Sequence, residues 1–219
     1  MNVFDILGPV MIGPSSSHTA GAARIGRITR TLLGGPAVKA DILLHGSFAK
    51  TYKGHGTDKA LIAGIMGMAT DDVRIRQAPE LAKQAGLDVH ISTGDIGGAH
   101  PNTAKVTLTD AKGRQVSLLG SSIGGGNILV TEVNGMEVSL TGQYATLIVL
   151  HKDAPGTIAA VTEVMAEEGI NICNFRLSRQ KKGGEAVMTI ELDGKPSPEI
   201  NKKINTLPNI YSSTMLQPI

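Results

Sequence analysis

The residues best suited to chemistry form one short run, Gly13-Pro14-Ser15-Ser16-Ser17-His18-Thr19, ahead of a helix-like segment. Proline interrupts the preceding chain and serine is a preferred N-cap, so this run is expected to start a helix. The first turn of a helix offers unpaired backbone N–H groups and a positive dipole end, which together attract anions. Three hydroxyls and an imidazole at that end predict a site for a small carboxylate or phosphate. The alternative is an ordinary serine cap followed by a solvated histidine.

Histidines in glycine- or serine-rich loops are the second group of candidates, because such loops are open to a ligand and imidazole is the commonest general acid or base near neutral pH. They are His18, His45, His55 and His100. We expect His18 and His55 to be functional and His45 to hydrogen-bond locally in a turn, while both interpretations stay open for His100. His90 lies in a strand pattern and is expected to be structural. No His-X-His or helical i, i+4 pair is present, so we expect no metal ion on this chain.

A second glycine-rich run spans residues 120–127, Gly-Ser-Ser-Ile-Gly-Gly-Gly-Asn. Successive backbone N–H groups in such a run can form an anion-binding nest. The run lacks the Lys-Ser/Thr end of a P-loop and no helix follows it, which disfavours a nucleotide site. A close-approach bulge or a flexible loop explains these residues equally well.

The composition narrows the class of function. The chain has 219 residues, a net charge of +2, 3% aromatic residues and no Trp, so we expect no nucleic-acid partner. No apolar run reaches the roughly 20 residues that span a bilayer, so no membrane partner is expected either. Cys173 is the only cysteine, which excludes an internal disulfide and fits a reducing cytoplasm. One thiol cannot supply the about three or four thiolates of a common zinc or iron–sulfur centre.

The first part of the chain reads as an α+β domain with a mixed or antiparallel sheet, covering residues 1–142. Residues 45–56 are predicted as a turn, and Asn134-Gly135 is the strongest hairpin signal. Helices are predicted at 20–33, from Thr57 or Asp58 to about Ala69, and at 79–85; strands are predicted at 38–44, 87–93, 103–109, 114–119, 127–133 and 136–140.

The pattern restarts after Thr141-Gly142-Gln143, which is the predicted domain boundary. Residues 144–219 read β-α-β-β-α-β, the split βαβ arrangement with both helices on one face of an antiparallel sheet. The predicted strands are 145–150, 170–177, 185–192 and 210–216, and the predicted helices are 157–168 and 198–207.

These motifs together resemble one family. The serine-rich run, Gly-His-Gly-Thr-Asp at 54–58, Gly-Gly-Ala-His-Pro-Asn at 97–102 and the run at 120–126 look like the β chain of iron–sulfur-dependent L-serine dehydratase. The first half would then resemble an allosteric-substrate-binding domain. Residues 153–156, Asp-Ala-Pro-Gly, and 169–172, Gly-Ile-Asn-Ile, make the second half similar to a ferredoxin-like ACT domain, a small amino-acid-binding module.

The resemblance implies the conversion of L-serine to pyruvate and ammonia by a cytoplasmic assembly. It implies a four-iron, four-sulfur cluster held by a separate α chain, which agrees with the single cysteine here. This chain would be half of an enzyme whose partners are the α chain and L-serine. By the same resemblance, His18 and His55 are expected to be catalytic. The residues expected to bind substrate are Ser15, Ser16, Ser17, Thr19, His100 and Asn102.

For the second domain, the resemblance implies an effector site made of Asp153, Pro155, Gly156, Asn171 and Ile172. The alternative is a module that only pairs two copies of the chain into a homodimer. A titration showing that no amino acid binds this region would favour pairing. For the whole chain, the competing hypothesis is a non-catalytic amino-acid sensor in which both domains bind effector.

Overall fold

The computed structural model describes residues 10–194, 196–197 and 199–218. The chain divides into two compact units, one reaching to Asn134 and the other beginning at Gly135. Each unit is described by itself. The domain boundary predicted at residues 141–143 falls inside the second unit by this division and stays a prediction.

The first unit begins with a five-residue π-helical turn, Ser17–Gly21, that runs directly into helix α1. A short 3₁₀ helix, Val73–Gln77, precedes helix α4. The helices are α1 (Ala22–Leu33), α2 (Gly46–His55), α3 (Thr57–Ile65) and α4 (Ala78–Gln84); the strands are β1 (Lys39–Leu44), β2 (Asp88–Thr93), β3 (Thr103–Thr109), β4 (Gln115–Gly124) and β5 (Asn127–Val133).

The five strands of this unit are ordered β2-β1-β3-β4-β5 in a mixed sheet, as the sequence pattern predicted. β1 and β2 are parallel, and the other neighbours are antiparallel. Side chains alternate along β1 and β3, so that one face is buried and the other is partly exposed. Helix α1 covers the buried face above β3 and β4 with Ile25, Ile28 and Leu32.

Glycines set the distance between α1 and α3. A methyl group at Gly64 would overlap the carbonyl oxygen of Ala23, and one at Gly26 would overlap the carbonyl oxygen of Leu61. The two backbones therefore touch directly, with no side chain between them. Both helices begin beside the candidate residues of the site, so this contact also fixes where the site lies.

Three segments differ from the sequence prediction. Residues 45–56 contain helix α2 rather than a turn; Phe48 is fully buried there, and its tertiary packing outweighs the two glycines of the helix. Strand β4 extends to Gly124, so the second glycine run is mostly strand. A register shift between Ser122 and Gly124 marks a bulge, which was one of the two alternatives. Helix α3 ends at Ile65 because Gly67 adopts φ +87.

The second unit has the predicted β-α-β-β-α-β order, preceded by one further strand. The elements are β6 (Met136–Leu140), β7 (Ala145–Lys152), α5 (Thr157–Glu167), β8 (Ile172–Arg179), β9 (Glu185–Leu192), α6 (Glu199–Asn205) and β10 (Ile210–Leu216). The sheet is ordered β10-β7-β9-β8 with antiparallel neighbours, which is the ferredoxin-like arrangement.

The helices of this unit pack on the sheet through one apolar cluster. It is formed by Leu147, Val149, Val161, Val164, Met165, Met188, Ile190, Leu192, Ile200 and Ile204. The sequence predicts that Ile158, Val161, Val164 and Met165 of α5 face inward; the last three belong to the cluster, but Ile158 is 41% exposed, so that part of the prediction was wrong. Among the residues that the structure describes, no helix combines the length and the apolar composition needed to cross a membrane.

The contact between α1 and α3 yields a stability prediction. Gly64→Ala should lower the free energy of unfolding by about 1–3 kcal/mol or more, because the added methyl group overlaps backbone that cannot rotate away. Gly54→Ala is the matched control: Gly54 is also helical, and no atom lies within 4 Å of its added Cβ, so it should be neutral or stabilising by about 0.4–1 kcal/mol. Urea unfolding followed by circular dichroism measures both. Equal stability of the two variants would contradict the packing argument.

Candidate functional site

The serine-rich run folds as the entry to α1. The Ser15 carbonyl accepts the Thr19 N–H at 2.8 Å, and the Ser16 carbonyl accepts the Gly21 N–H at 3.0 Å, which closes the π turn. The Ser15 hydroxyl accepts the backbone N–H of His18 at 3.4 Å, so it is Ser15 that caps this end. Ser16, which directly precedes the turn, makes no side-chain cap bond.

His18 points inward and is only 8% exposed, so it is not the solvated histidine of the alternative interpretation. Its Nδ1 lies 3.3 Å from the Ser15 hydroxyl. Its Nε2 lies 3.1 Å from the Thr51 hydroxyl and 3.4 Å from the Ser47 hydroxyl, both on α2. The ring also meets Phe48 edge-on, with centroids 5.1 Å apart. Every polar edge of this imidazole is therefore held by protein hydroxyls.

His55 lies directly against His18. The ring centroids are 4.7 Å apart and the planes meet at 86°. His55 ends α2 and is exposed, and Gly56, with φ +72, turns the chain at once into α3. The structure therefore brings together the two histidines that the sequence singled out, one as the buried support and one as the exposed group.

The two histidines differ electrostatically. Burial lowers the pKa of His18 below its ordinary value, and positive charge on the adjacent His55 lowers it further. His18 is therefore held in its neutral form near neutral pH.

An open cleft of ≈ 370 Å³ lies in front of His55. This volume is within the range of about 300–1,000 Å³ that is typical of small-ligand sites. The lining residues are Ile12, Gly13, Pro14, Thr19, Lys53, Gly54, His55, Gly56, Lys59, Ile75 and Arg76. The cleft thus joins the start of the serine-rich run to the Gly-His-Gly turn.

The cleft favours an anion. Lys53, Lys59 and Arg76 line it, and among the described lining residues none is acidic. Gly56, the N-cap of α3, adds the positive end of a nine-residue helix. Thr19 lines the same cleft, and its hydroxyl is buried with no hydrogen-bond partner among the described residues. An unpaired buried hydroxyl costs free energy.

The remaining predicted substrate-binding residues lie elsewhere. Ser16 and Ser17 are half-buried, and neither hydroxyl makes a hydrogen bond within the described chain. His100 is exposed, and its Nδ1 accepts the backbone N–H of Asn102 at 3.1 Å. The Asn102 carbonyl accepts the Ser122 N–H at 2.9 Å. None of these four residues lines the cleft, and their roles stay predictions.

The other two histidines of the first unit, His45 and His90, make structural contacts and do not line the cleft. His45 is the N-cap of α2, and its Nδ1 accepts the backbone N–H of Ile96, 51 residues along the chain. His90 is exposed on β2 and pairs with Asp88 at 3.0 Å.

Several residues of the site escaped the sequence analysis. Thr51 and Ser47 hold His18, and the three cleft cations were not singled out. The signal was present: Ser47, Thr51 and His55 are spaced four residues apart, which places them on one face of a helix. The pattern was missed because this segment was predicted as a turn.

In the second unit, the predicted effector residues fall at two ends of one strand. Asp153 follows β7, and its carboxylate accepts the Gly183 N–H at 2.9 Å and an Arg179 N–H at 2.8 Å, which lowers the pKa of Asp153. Asn171 precedes β8 and donates to Asp193 at 2.7 Å. Since Arg179 ends β8, the two groups are separated by the length of that strand, roughly 23 Å at about 3.3 Å per residue.

The loop between β7 and α5 contains the other predicted effector residues. Pro155 and Gly156 are exposed, and Gly156 caps α5 with φ +83. Two buried polar atoms flank this loop in sequence and have no partner in the described chain, His151 Nε2 and Thr157 Oγ1. Ile172 is half-buried at the start of β8. The effector site and the pairing alternative both stay predictions.

Comparison with known proteins gives matches over both units. A family model described as the serine dehydratase beta chain matches residues 2–96, and an ACT domain model matches residues 145–209. A probable L-serine dehydratase beta chain of Bacillus subtilis is 47% identical, covering 98% of this chain and 97% of that protein. An L-serine dehydratase beta chain of Peptoniphilus asaccharolyticus is 38% identical, with coverages of 90% and 89%. A D-3-phosphoglycerate dehydrogenase of Methanocaldococcus jannaschii is 29% identical over 86% of this chain but only 36% of its own length.

The environment of His18 predicts how this residue titrates. Its pKa in the folded chain should lie below about 6.5, the ordinary value for histidine. Proton NMR titration of the ring signals measures this value, with His18→Gln and His90→Gln used to assign the signals. A His18 pKa at or above the ordinary value would contradict the burial argument.

The same shift has a consequence for stability. Because the unfolded chain binds the proton first, the contribution of His18 to the free energy of unfolding is complete above about pH 6.5 and is lost as the pH falls toward its folded-state pKa. The His18→Gln variant should therefore lose less stability than the wild type over that interval.

Proposed function

The chain belongs to the family of L-serine dehydratase β chains, and from this premise we propose that it is the β subunit of an enzyme that deaminates L-serine to pyruvate and ammonia. Two relatives that are named as L-serine dehydratase beta chains, one of them as a probable one, align with nearly the whole chain and support the proposal. The observation that carries it is the cleft itself: an exposed imidazole, supported by a buried one, stands among cations at the opening of the serine-rich run.

The cleft cations would hold the substrate by its carboxylate. L-Serine carries one carboxylate, and Lys53, Lys59 and Arg76 leave the cleft with an excess of positive charge. Binding through the carboxylate leaves the Cα–H and the side-chain hydroxyl free to react.

His55 would then move the proton. Its imidazole accepts the proton from Cα and gives it to the departing β-hydroxyl, which leaves as water and restores His55 to its starting form. The resulting enamine tautomerises to an imine and takes water back, which releases ammonia and pyruvate. Atoms balance, because the water lost in the first step is consumed in the last. His18 does not bond to the substrate in this scheme. Its ring packs against the ring of His55 and fixes the position of that side chain.

The resemblance implies an iron–sulfur cluster, and the donor groups of this chain do not fit one. Cys173 is the only thiol, while such a cluster needs about three or four. Within 10–194, 196–197 and 199–218, no three His, Cys, Asp or Glu side chains group as metal ligands. We therefore assign the cluster to a partner α chain and derive no step of this chain through it. The single cysteine also suits a reducing compartment such as the cytoplasm.

One observation favours a second candidate, an amino-acid sensor. Most of this chain aligns with about a third of a D-3-phosphoglycerate dehydrogenase, an enzyme named for different chemistry. A region shared by enzymes with different reactions can be regulatory in both. In that case the cleft would bind an effector, and its histidines would not affect turnover directly.

Replacement of His55 separates the two candidates. In the assembled α–β enzyme, His55→Gln should lower kcat for pyruvate formation by about 100-fold or more, because the proton acceptor is lost. Association with the α chain should not change, and analytical ultracentrifugation of the mixture checks this.

The control for that experiment is His90→Gln, which removes an exposed histidine on β2 that is paired with Asp88. It should keep wild-type turnover. Full turnover by His55→Gln would remove the catalytic assignment and favour the sensor.

The charge of the cleft gives a second test. Lys59→Gln should raise KM for L-serine about two- to fivefold and leave kcat nearly unchanged, because one exposed charge pair contributes about 0.2–1 kcal/mol. Lys83→Gln, an exposed lysine in the last turn of α4, is the matched control and should change neither constant. An unchanged KM for Lys59→Gln at low ionic strength would show that the carboxylate binds elsewhere.

A further inference from the structure

The hydroxyl groups around His18 allow its protons to be counted. Three hydroxyls reach the ring, and each carries a single hydrogen to donate. Where each hydrogen goes decides which ring nitrogen of His18 carries its own proton. The two sides of the ring give the same answer.

On the α2 side, Thr51 has already used its hydrogen. Its hydroxyl donates to the Ser47 carbonyl one turn earlier at 2.8 Å, the usual bond of a helical threonine to residue i−4. Its distance to His18 Nε2 is longer, 3.1 Å. Toward the ring the Thr51 oxygen can therefore only accept, so the hydrogen bond between Thr51 and His18 requires the proton on Nε2. The Ser47 hydroxyl lies farther from Nε2, at 3.4 Å, and is the weaker partner on this side.

On the other side, Ser15 has its hydrogen free. The Ser15 oxygen accepts the backbone N–H of His18 and lies 3.3 Å from Nδ1. Its hydrogen can therefore point to Nδ1, which must be bare to accept it. This agrees with a proton on Nε2.

We propose that Thr51 is a positioning residue, whose hydroxyl holds His18 as the neutral Nε2–H tautomer with its ring edge fixed against His55. Its importance for turnover rests on the function proposed above, in which His55 accepts the substrate proton. The tautomer does not rest on that function. Thr51 and His55 occupy the same face of α2, one turn apart, so a single helix carries the exposed histidine and the group that orients its support.

The geometry explains why orientation should affect turnover. His55 is exposed and makes no side-chain hydrogen bond within the described residues, so its contact with the His18 ring, with centroids 4.7 Å apart, helps to define its place. If His18 lost its hydrogen bond to Thr51, its ring could rotate or exchange tautomers, and His55 would lose a defined position. Supporting hydrogen bonds to an oriented imidazole contribute about 10- to 100-fold in the better-measured case of metal-bound histidine.

The experiment compares Thr51→Val with the wild type in two measurements. ¹⁵N NMR of the imidazoles in the full chain identifies the protonated nitrogen of His18, which should be Nε2 in the wild type and mixed in Thr51→Val. Pyruvate formation by the α–β enzyme should show kcat lowered about tenfold or more with KM little changed. Thr51→Ser keeps the hydroxyl and should restore both properties.

Thr31→Val is the matched control. Thr31 makes the same i−4 bond as Thr51, to the Arg27 carbonyl at 2.9 Å, but on the exposed face of α1. It should change neither the His18 tautomer nor kcat. Thermal unfolding of all variants checks that they are folded.

Four results would overturn the proposal. They are a proton on Nδ1 in the wild type, wild-type kcat in Thr51→Val, a loss that Thr51→Ser does not restore, and a lowered kcat with an unchanged tautomer. If the wild-type α–β enzyme formed no pyruvate at all, the proposed function would fail, while the NMR measurement would still decide the tautomer.

Discussion

The site depends on the direct contact between the backbones of α1 and α3. His18 lies in the turn that leads into α1, and His55 lies two residues before α3, so the spacing of these helices sets the spacing of the two imidazoles. Gly26 and Gly64 permit that contact because neither has a side chain to separate the helices. Burial of the apolar face of α1 against the sheet then fixes the position of α1, and with it the position of the residues at the base of the cleft.

Within this framework, the different burial of His18 and His55 gives the two histidines different roles. His18 is enclosed by hydroxyls and Phe48, which favours its neutral form, while His55 faces the cleft and its cations. The cleft is open, and Cys173, the only thiol of the sequence, cannot supply the about three or four thiolates of an iron–sulfur cluster. We therefore regard the cleft as one wall of a site that is completed by a partner chain, which agrees with the relatives being named as β chains.

The sequence predicted the parts of the structure that follow from periodicity and local turn chemistry. The β-α-β-β-α-β order of the second unit and the mixed sheet of the first depend on such local signals, whereas the contact between His18 and His55 depends on tertiary folding. Helix α2 was missed because its stability comes from burying Phe48 rather than from helix propensity. With α2 absent from the prediction, Thr51 could not be placed beside His18. The cleft cations escaped for a related reason, since Arg76 joins Lys53 and Lys59 only through tertiary folding.

Pyruvate formation from L-serine, measured with the purified chains without oxygen after iron and sulfide have been supplied, shows whether this chain is part of the active site. We expect activity only when this chain and the α chain are mixed, with the visible absorbance of the cluster following the α chain. Full activity from the α chain alone would contradict it, and this chain would then be a regulator rather than part of the active site.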